Sequence, residues 1–392
     1  MTIEIRPIRE EEWAEYCRLR GDSYHSDPAD LVRFRHLVDL TETRCLFVDG
    51  EMKATGRLYN FQQSLHGRWV PMGGVASLTV PLEERRKGYI SRVLRAMLEE
   101  MRDRQVPVSC LNPYVYPLYR HFGWEHAFEQ RSHTLSLAEP FLAERLAERG
   151  TVECVRKAEA VDVPLLNALY EKNALRHNGY QQRSEAFWRE RVLRHPYTEQ
   201  PRKAYLWLDL QEQPQAYLVV EPAEDGRQTI KELITLEADG LYALLQMLQR
   251  DNLLETVEWA TEPSFPLPAV LNNPRATSRV EATFMARIVD VSVAWRIRSP
   301  QAANGTVRLG VVDEVCEWND GTWEVSAGRV SRTDSEPQAI ADIGTWSQIF
   351  YGYLTIDQAI FLGKLTVKDE NSLSILRTLW STASQPMMLD SF

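Results

Sequence analysis

Cysteine is scarce in this chain: five in 392 residues, at positions 17, 45, 110, 154 and 316, an odd number with no CxxC pair. That excludes a disulfide framework and a thiolate zinc site, and reduced thiols are expected. Long apolar runs are missing too, since none reaches the roughly 18 residues that a bilayer-spanning helix requires. The opening Met1-Thr2-Ile3-Glu4-Ile5-Arg6 lacks the basic-then-apolar order of a signal peptide, so a cytoplasmic protein with no membrane partner is expected. There is no basic excess. Forty-five Lys and Arg stand against 55 Asp and Glu, a net charge of -10 that repels nucleic acid at long range. GxSxG, GxxxxGKS/T and HExxH are all absent, and neither His121 nor His126 has a metal-ligand spacing, so no metal site is expected. What remains is an ordinary globular composition, 44% hydrophobic and 26% charged, in a chain too long for one core. Two or three domains should result.

The stretch from Val70 to Trp124 organises the rest. Gly74 to Val80 is short, apolar and partly β-branched, the pattern of a buried strand, with Gly73-Gly74 and Pro81 as its bounds. After the basic turn Arg85-Arg86-Lys87-Gly88, apolar residues recur at Ile90, Val93, Leu94, Met97, Leu98 and Met101, the spacing of an amphipathic helix. A basic loop opening a helix brings together free backbone N–H groups, the positive end of the helix dipole and mobile cations. Such a place binds phosphate. Val106 to Leu111 reads as a second strand, parallel to the first because a helix joins them.

These residues resemble the GNAT acyltransferase superfamily, whose pyrophosphate loop places Arg or Gln, then Gly, then Gly or Ala. Here the positions are Arg85, Gly88 and Ile90, the last departing from the small residue. Leu118-Tyr119-Arg120-His121-Phe122-Gly123-Trp124 resembles the superfamily's later segment, where a tyrosine sits near the thioester sulfur. The basic loop with a bulky aliphatic at its end, the length, and the terminal Phe392 narrow the resemblance to the Eis-like (enhanced intracellular survival) branch.

The expected fold class is mixed α/β and α+β: two GNAT-like domains in tandem, then a sterol-carrier-protein-like domain, at residues 1-140, 141-285 and 286-392. In the first, a strand Thr2 to Pro7 precedes a helix Arg9 to Arg20, Asp49-Gly50 turns a hairpin between Arg44 to Val48 and Glu51 to Tyr59, and Ser132 to Leu137 closes the domain near Pro140. Phe141 to Gly150 is helical in composition. The second repeats the plan, with a strand at Val152 to Arg156, a helix at Val163 to Arg176, strands at Ala204 to Leu210, Gln215 to Val220, Glu232 to Leu236 and Glu255 to Ala260, and a helix at Leu241 to Arg250. Its counterpart of the basic loop is Glu237-Ala238-Asp239-Gly240, and carboxylates there argue against coenzyme A. The third has expected strands Ile288 to Ile297 and Val307 to Val312, a turn at Asn319-Asp320-Gly321, and helices at Ile343 to Tyr351, Ile356 to Leu365 and Ser372 to Ser381. Trp346, Ile349, Phe350, Ile360 and Phe361 are candidates for a lipid cavity, against the more usual reading of aromatic stripes as core.

The resemblance implies an acetyl-CoA-dependent N-acetyltransferase without a metal, acting in a ternary complex on a small cationic amine of aminoglycoside or polyamine type, or on lysine side chains. The acidic net charge suits such a substrate. It also implies a homo-oligomer, hexameric in the family. Acetyl-CoA would meet the backbone of Leu78, Thr79 and Val80, the loop and helix start Arg85, Arg86, Lys87, Gly88, Tyr89, Ile90 and Ser91, and the loop Asn112 to Pro117 with Tyr114 and Val115. Tyr119 would be the acid, since a phenol of pKa about 10 is protonated at neutral pH. The terminal carboxylate of Phe392 would be the base, with Met387-Met388-Leu389 as apolar anchors, and Cys110 is close enough to the motif to test for an acyl-enzyme. Ser23, Tyr24 and Asp27 follow the first helix, where the acceptor site forms. The rival class is a binding protein that senses acyl-CoA or carries an apolar ligand.

Overall fold

The computed structural model describes residues 2–392 apart from 25–26, 34, 139–141, 148, 150–151, 196–197, 299–304, 327 and 383. Seventeen strands are seen among them: β1 (Ile3–Arg6), β2 (Cys45–Val48), β3 (Glu51–Leu65), β4 (Arg68–Thr79), β5 (Val108–Leu111), β6 (Glu125–Ser136), β7 (Val155–Lys157), β8 (Lys203–Leu208), β9 (Pro214–Val220), β10 (Arg227–Thr235), β11 (Thr256–Thr261), β12 (Thr277–Ile288), β13 (Val307–Val312), β14 (Gly321–Ser326), β15 (Arg329–Thr333), β16 (Ala339–Asp342) and β17 (Thr366–Val367). Twelve make one sheet, in the order β1-β2-β3-β4-β5-β12-β6-β11-β10-β9-β8-β7, and the other five make a second sheet, β15-β14-β13-β16-β17.

Each half of the large sheet repeats one plan, with an antiparallel meander leading to a strand, a helix and a parallel strand. In the first half the helix Tyr89–Asp103 joins β4 to β5, and in the second Ala238–Gln249 joins β10 to β11. The closing strands are exchanged. β12, from the second repeat, pairs with β5 of the first, while β6, from the first, pairs with β11 of the second and with β12. The expected first boundary, at Pro140 and Phe141, lies outside the described residues. On either side of it the copies share one hydrogen-bonded sheet.

The helix Tyr89–Asp103 buries Val93, Leu94, Met97, Leu98 and Met101 on one face of this sheet. Gly56 and Gly73 let it approach, because a Cβ at either would lie under 3 Å from Met97 or Met101. The opposite face is covered by the C-terminal unit, whose helix Ile343–Tyr351 is buried at every residue and shares a core with Val70, Met72, Val108 and Phe284.

Several local expectations fail. Ile288 to Ile297 is not a strand: β12 ends at Ile288, and the helix Val291–Arg298 begins at Asp290, whose carboxylate accepts from the Ser292 and Val293 N–H groups. A capped helix start overrides the alternation. Asn319-Asp320-Gly321 is no tight hairpin, since β13 and β14 are joined by residues 313–320 and Asn319 is a buried hub bonded to the Val289 carbonyl, the Val291 N–H and Asp313. Gly73-Gly74 lies inside β4 rather than bounding it. The cavity candidates Trp346, Ile349 and Phe350 are solid core, whereas Phe361 is 89% exposed.

Candidate active site

The site begins where two parallel strands part. β4 and β5 are paired only from Met72–Val108 to Val75–Leu111. Just beyond, β4 bulges against β3 between the partners of Thr55 and Arg57, and Ser77 adopts φ +55°. The Thr55 hydroxyl donates to the Ser77 carbonyl at 2.8 Å and pins the bulge. From Ala76 to Thr79, and on to Val80 beyond its end, β4 therefore has a backbone edge that β5 does not use.

At the mouth of the fork, a 3-10 turn (Leu82–Glu84) leads through Arg85, Arg86 and Lys87 to Gly88. Gly88 sits at φ +77°, a conformation glycine adopts without strain, and caps the helix Tyr89–Asp103. The first helical bond runs from the Arg92 N–H to the Gly88 carbonyl at 3.1 Å, which leaves the N–H groups of Tyr89, Ile90 and Ser91 unused by the helix. Arg85 and Arg86 are exposed. Lys87 departs from expectation: its ammonium is 2.6 Å from Glu84, which also takes Lys53 at 3.2 Å. Two arginines and a helix start remain for an anion. Tyr114, 89% exposed, and Val115, 45% exposed, lie in the loop that follows β5. These features fit the phosphates and amide arm of a coenzyme A thioester.

Tyr119 lies on the short helix Tyr116–His121 that follows β5. Its ring is packed in the cluster of Leu111, Phe122 and Trp124, 7% exposed. Among the described residues its hydroxyl has no hydrogen-bond partner, and burial pushes its pKa up to about 12, with Tyr24 adding to the shift. Tyr24 is 50% exposed at the end of the helix Trp13–Tyr24, so an expected acceptor residue does share space with Tyr119. Ser23 is half-buried, its hydroxyl without a partner among the described residues, and exposed Asp27 accepts from the Ala29 N–H at 2.8 Å. Cys110 is fully buried. Its thiol contacts the Tyr351 hydroxyl at 3.4 Å and burial pushes it up to about 12, which suits a core thiol and not a nucleophile.

Phe392 is seated on the donor strand itself. Its ring centroid lies 5.0 Å from Phe61, 5.5 Å from Phe284 and 5.7 Å from Tyr59. The floor is Gly74, where any Cβ would stand 2.9 Å from the Phe392 ring and 2.7 Å from Phe61. Gly74 is one residue before the last β4–β5 pair, so the end of the chain reaches the root of the fork. Sequence reasoning missed this seat, although a glycine inside a strand signals close approach by another group.

A bulged strand forking from its parallel neighbour above a basic helix start is the arrangement expected for the donor site of an acyl-CoA-dependent acyltransferase. Residues 4–127 and 179–288 each match a family model described as an acetyltransferase (GNAT) domain, and 291–389 match a sterol carrier protein domain. An uncharacterized N-acetyltransferase of Streptomyces avermitilis is 25% identical over 100% of this chain and 99% of its own, and one of Streptomyces griseus is 23% identical over the full length of both. Among solved structures, a GCN5-related N-acetyltransferase from Anabaena variabilis has a TM-score of 0.86 at 22% identity, and Eis1 from Mycobacterium abscessus 0.82 at 19%, each covering both chains fully. The chain thus carries two acetyltransferase (GNAT) domains followed by a sterol carrier protein domain, and along its whole length it is similar to proteins named as N-acetyltransferases.

Proposed function

We propose that this acyltransferase moves an acetyl group from acetyl-CoA to a primary amine of a cationic small molecule, in a ternary complex, with the terminal carboxylate of Phe392 as base and Tyr119 as donor to the leaving sulfur. The observation that carries this reading is the Phe392 ring on Gly74, one residue from the point where the donor strands part. Arg85, Arg86 and the N–H groups of Tyr89 to Ser91 hold the phosphates, and the free edge at Leu78 to Val80 orients the thioester. The amine arrives protonated and must lose one proton to solvent before it attacks. A C–N bond then forms at the acetyl carbon as the C–S bond breaks, the nitrogen's proton passes to the Phe392 carboxylate directly or through water, and the Tyr119 hydroxyl bonds to the sulfur as it gains negative charge. The net charge of -10 and the tyrosine pair at the acceptor side favour polyamines or aminoglycosides. We place the enzyme in the cytoplasm as a homo-oligomer of the family's hexameric kind.

The test is thiol release from acetyl-CoA with a panel of polyamines, aminoglycosides and a lysine peptide. The native chain should turn over the polycations, and a chain lacking Phe392, or extended beyond it, should bind acetyl-CoA without turnover. Full activity with an extended C-terminus would refute the role of the carboxylate, and turnover of the peptide alone would move the acceptor to protein lysine.

A further inference from the structure

The tail that brings Phe392 to the fork is held at a second point. Arg183 is a buried guanidinium that donates to Asp390 through Nε at 2.8 Å and Nη2 at 2.9 Å, and to Glu232 through Nη1 at 3.0 Å and Nη2 at 2.8 Å. Side-chain exposures are 1% for Arg183, 1% for Glu232 and 5% for Asp390. The Tyr217 hydroxyl donates to Glu232, and Tyr170 lies under the guanidinium at 3.8 Å. One cation thus bridges a carboxylate of β10 and a carboxylate two residues from the chain end.

The segment preceding Arg183 guides the same tail. The Met387 N–H donates to the Asn178 carbonyl at 3.0 Å, the Gln181 amide meets the Met388 sulfur at 3.8 Å, and Gly179, at φ +111°, has no room for a Cβ because the Met387 carbonyl would lie 2.4 Å away. That segment is itself laced to β3, with the Ser64 N–H donating to the Tyr180 carbonyl at 2.7 Å and the Gln182 N–H to the Gln62 carbonyl at 2.8 Å. β3 also supplies Phe61 and Tyr59 to the Phe392 seat.

We infer that Arg183 and Asp390 are positioning residues for the base: the second GNAT copy, whose loop lacks the basic residues of a pyrophosphate site, serves as the clamp that fixes the terminal carboxylate over the donor fork. This rests on the reading of Phe392 as the base. Two residues span at most about 7 Å, so with Asp390 fixed and the Phe392 ring on Gly74 the carboxylate has little freedom. A loose tail would keep the same groups and lose their alignment, which for a misplacement of about 1 Å reaches roughly 100-fold in rate.

The experiment compares Asp390→Ala, Asp390→Asn and a chain lacking Phe392. Arg183 keeps its bond to Glu232 in all three. Asp390→Ala should lower kcat about 100-fold with the KM for acetyl-CoA nearly unchanged, and its tail should be trimmed faster by carboxypeptidase. Asp390→Asn, whose amide oxygen can still accept from Arg183, should recover part of the rate, and it decides the matter alone if Asp390→Ala does not fold. Wild-type kcat in both Asp390 variants, with turnover abolished by loss of Phe392, overturns the clamp and leaves the base standing. Full turnover without Phe392 overturns both.

Discussion

Replacing Tyr119 by Phe isolates one oxygen atom. No hydrogen bond to the hydroxyl is seen among the described residues, so its loss orphans no other group, and the ring keeps its place against Leu111, Phe122 and Trp124. Stability should hold within about 0.5 kcal/mol, because no hydrogen bond is broken and the ring packing is kept. Activity should not hold. A pKa pushed up to about 12 lies some 3.5 units above an ordinary thiol, so complete proton transfer to a thiolate is uphill by about 5 kcal/mol. The phenol then acts by donating a hydrogen bond to the sulfur as charge develops. Removing such a donor lowers kcat by about 100-fold, with the KM for acetyl-CoA little changed. Because the hydroxyl remains protonated up to about pH 11, the pH profile below pH 10 should have one shape in wild type and Tyr119→Phe. Steady-state thiol release from pH 6 to 10 measures both. Wild-type kcat in the variant, or an alkaline limb near pH 8 to 9 that vanishes with the hydroxyl, would refute the assignment.

Other consequences are separable from that one. Arg85→Ala and Arg86→Ala should each raise the KM for acetyl-CoA about 10-fold and flatten its salt dependence, whereas Lys87→Ala should do less because Glu84 already engages that ammonium; initial rates at two ionic strengths decide. Gly123→Ala should destabilise by about 3 kcal/mol or more in calorimetry, since φ is +78° and the Cβ would stand 1.7 Å from Arg287 Nη1, in a guanidinium buried against Asp313. His66, whose imidazole is held at about 3 first by burial and then by Arg298, stays neutral in the folded chain while the unfolded chain protonates near 6.5. Its contribution is present above pH 6.5 and is lost as pH falls towards 3, at most about 5 kcal/mol, so Tm against pH should be flatter in His66→Gln.

What could be read from the sequence was local. The helix after Gly88 announces itself through Val93, Leu94, Met97 and Met101, and the basic turn before it is chemistry written in consecutive residues. The meander of the second repeat is legible for the same reason, although β10 extends from Arg227 and not from Glu232. Alternation misled at Ile288 to Ile297 because the end of β12 and the start of a helix both carry apolar residues, and only Asp290, a capping side chain, marks the change. Arg183 could not have been singled out. Its partners Glu232 and Asp390 are 49 and 207 residues away, and no local pattern distinguishes a clamp from a surface arginine.

The exchange of closing strands gives the second copy a second hold on the site. β12 lies between β5 and β6, so the second repeat is hydrogen-bonded to the strand that forms one side of the donor fork. The same strand supplies Phe284 to the Phe392 seat, while β10 supplies Glu232 to the clamp on Asp390. Both attachments pass through the backbone of one continuous sheet, where a shift of one residue would turn each side chain to the other face. A second repeat displaced from its register would therefore lose the aromatic wall and the ionic anchor together. On the proposed reading of Phe392, the second copy serves the first copy's site through Phe284 at the wall and Glu232 at the anchor.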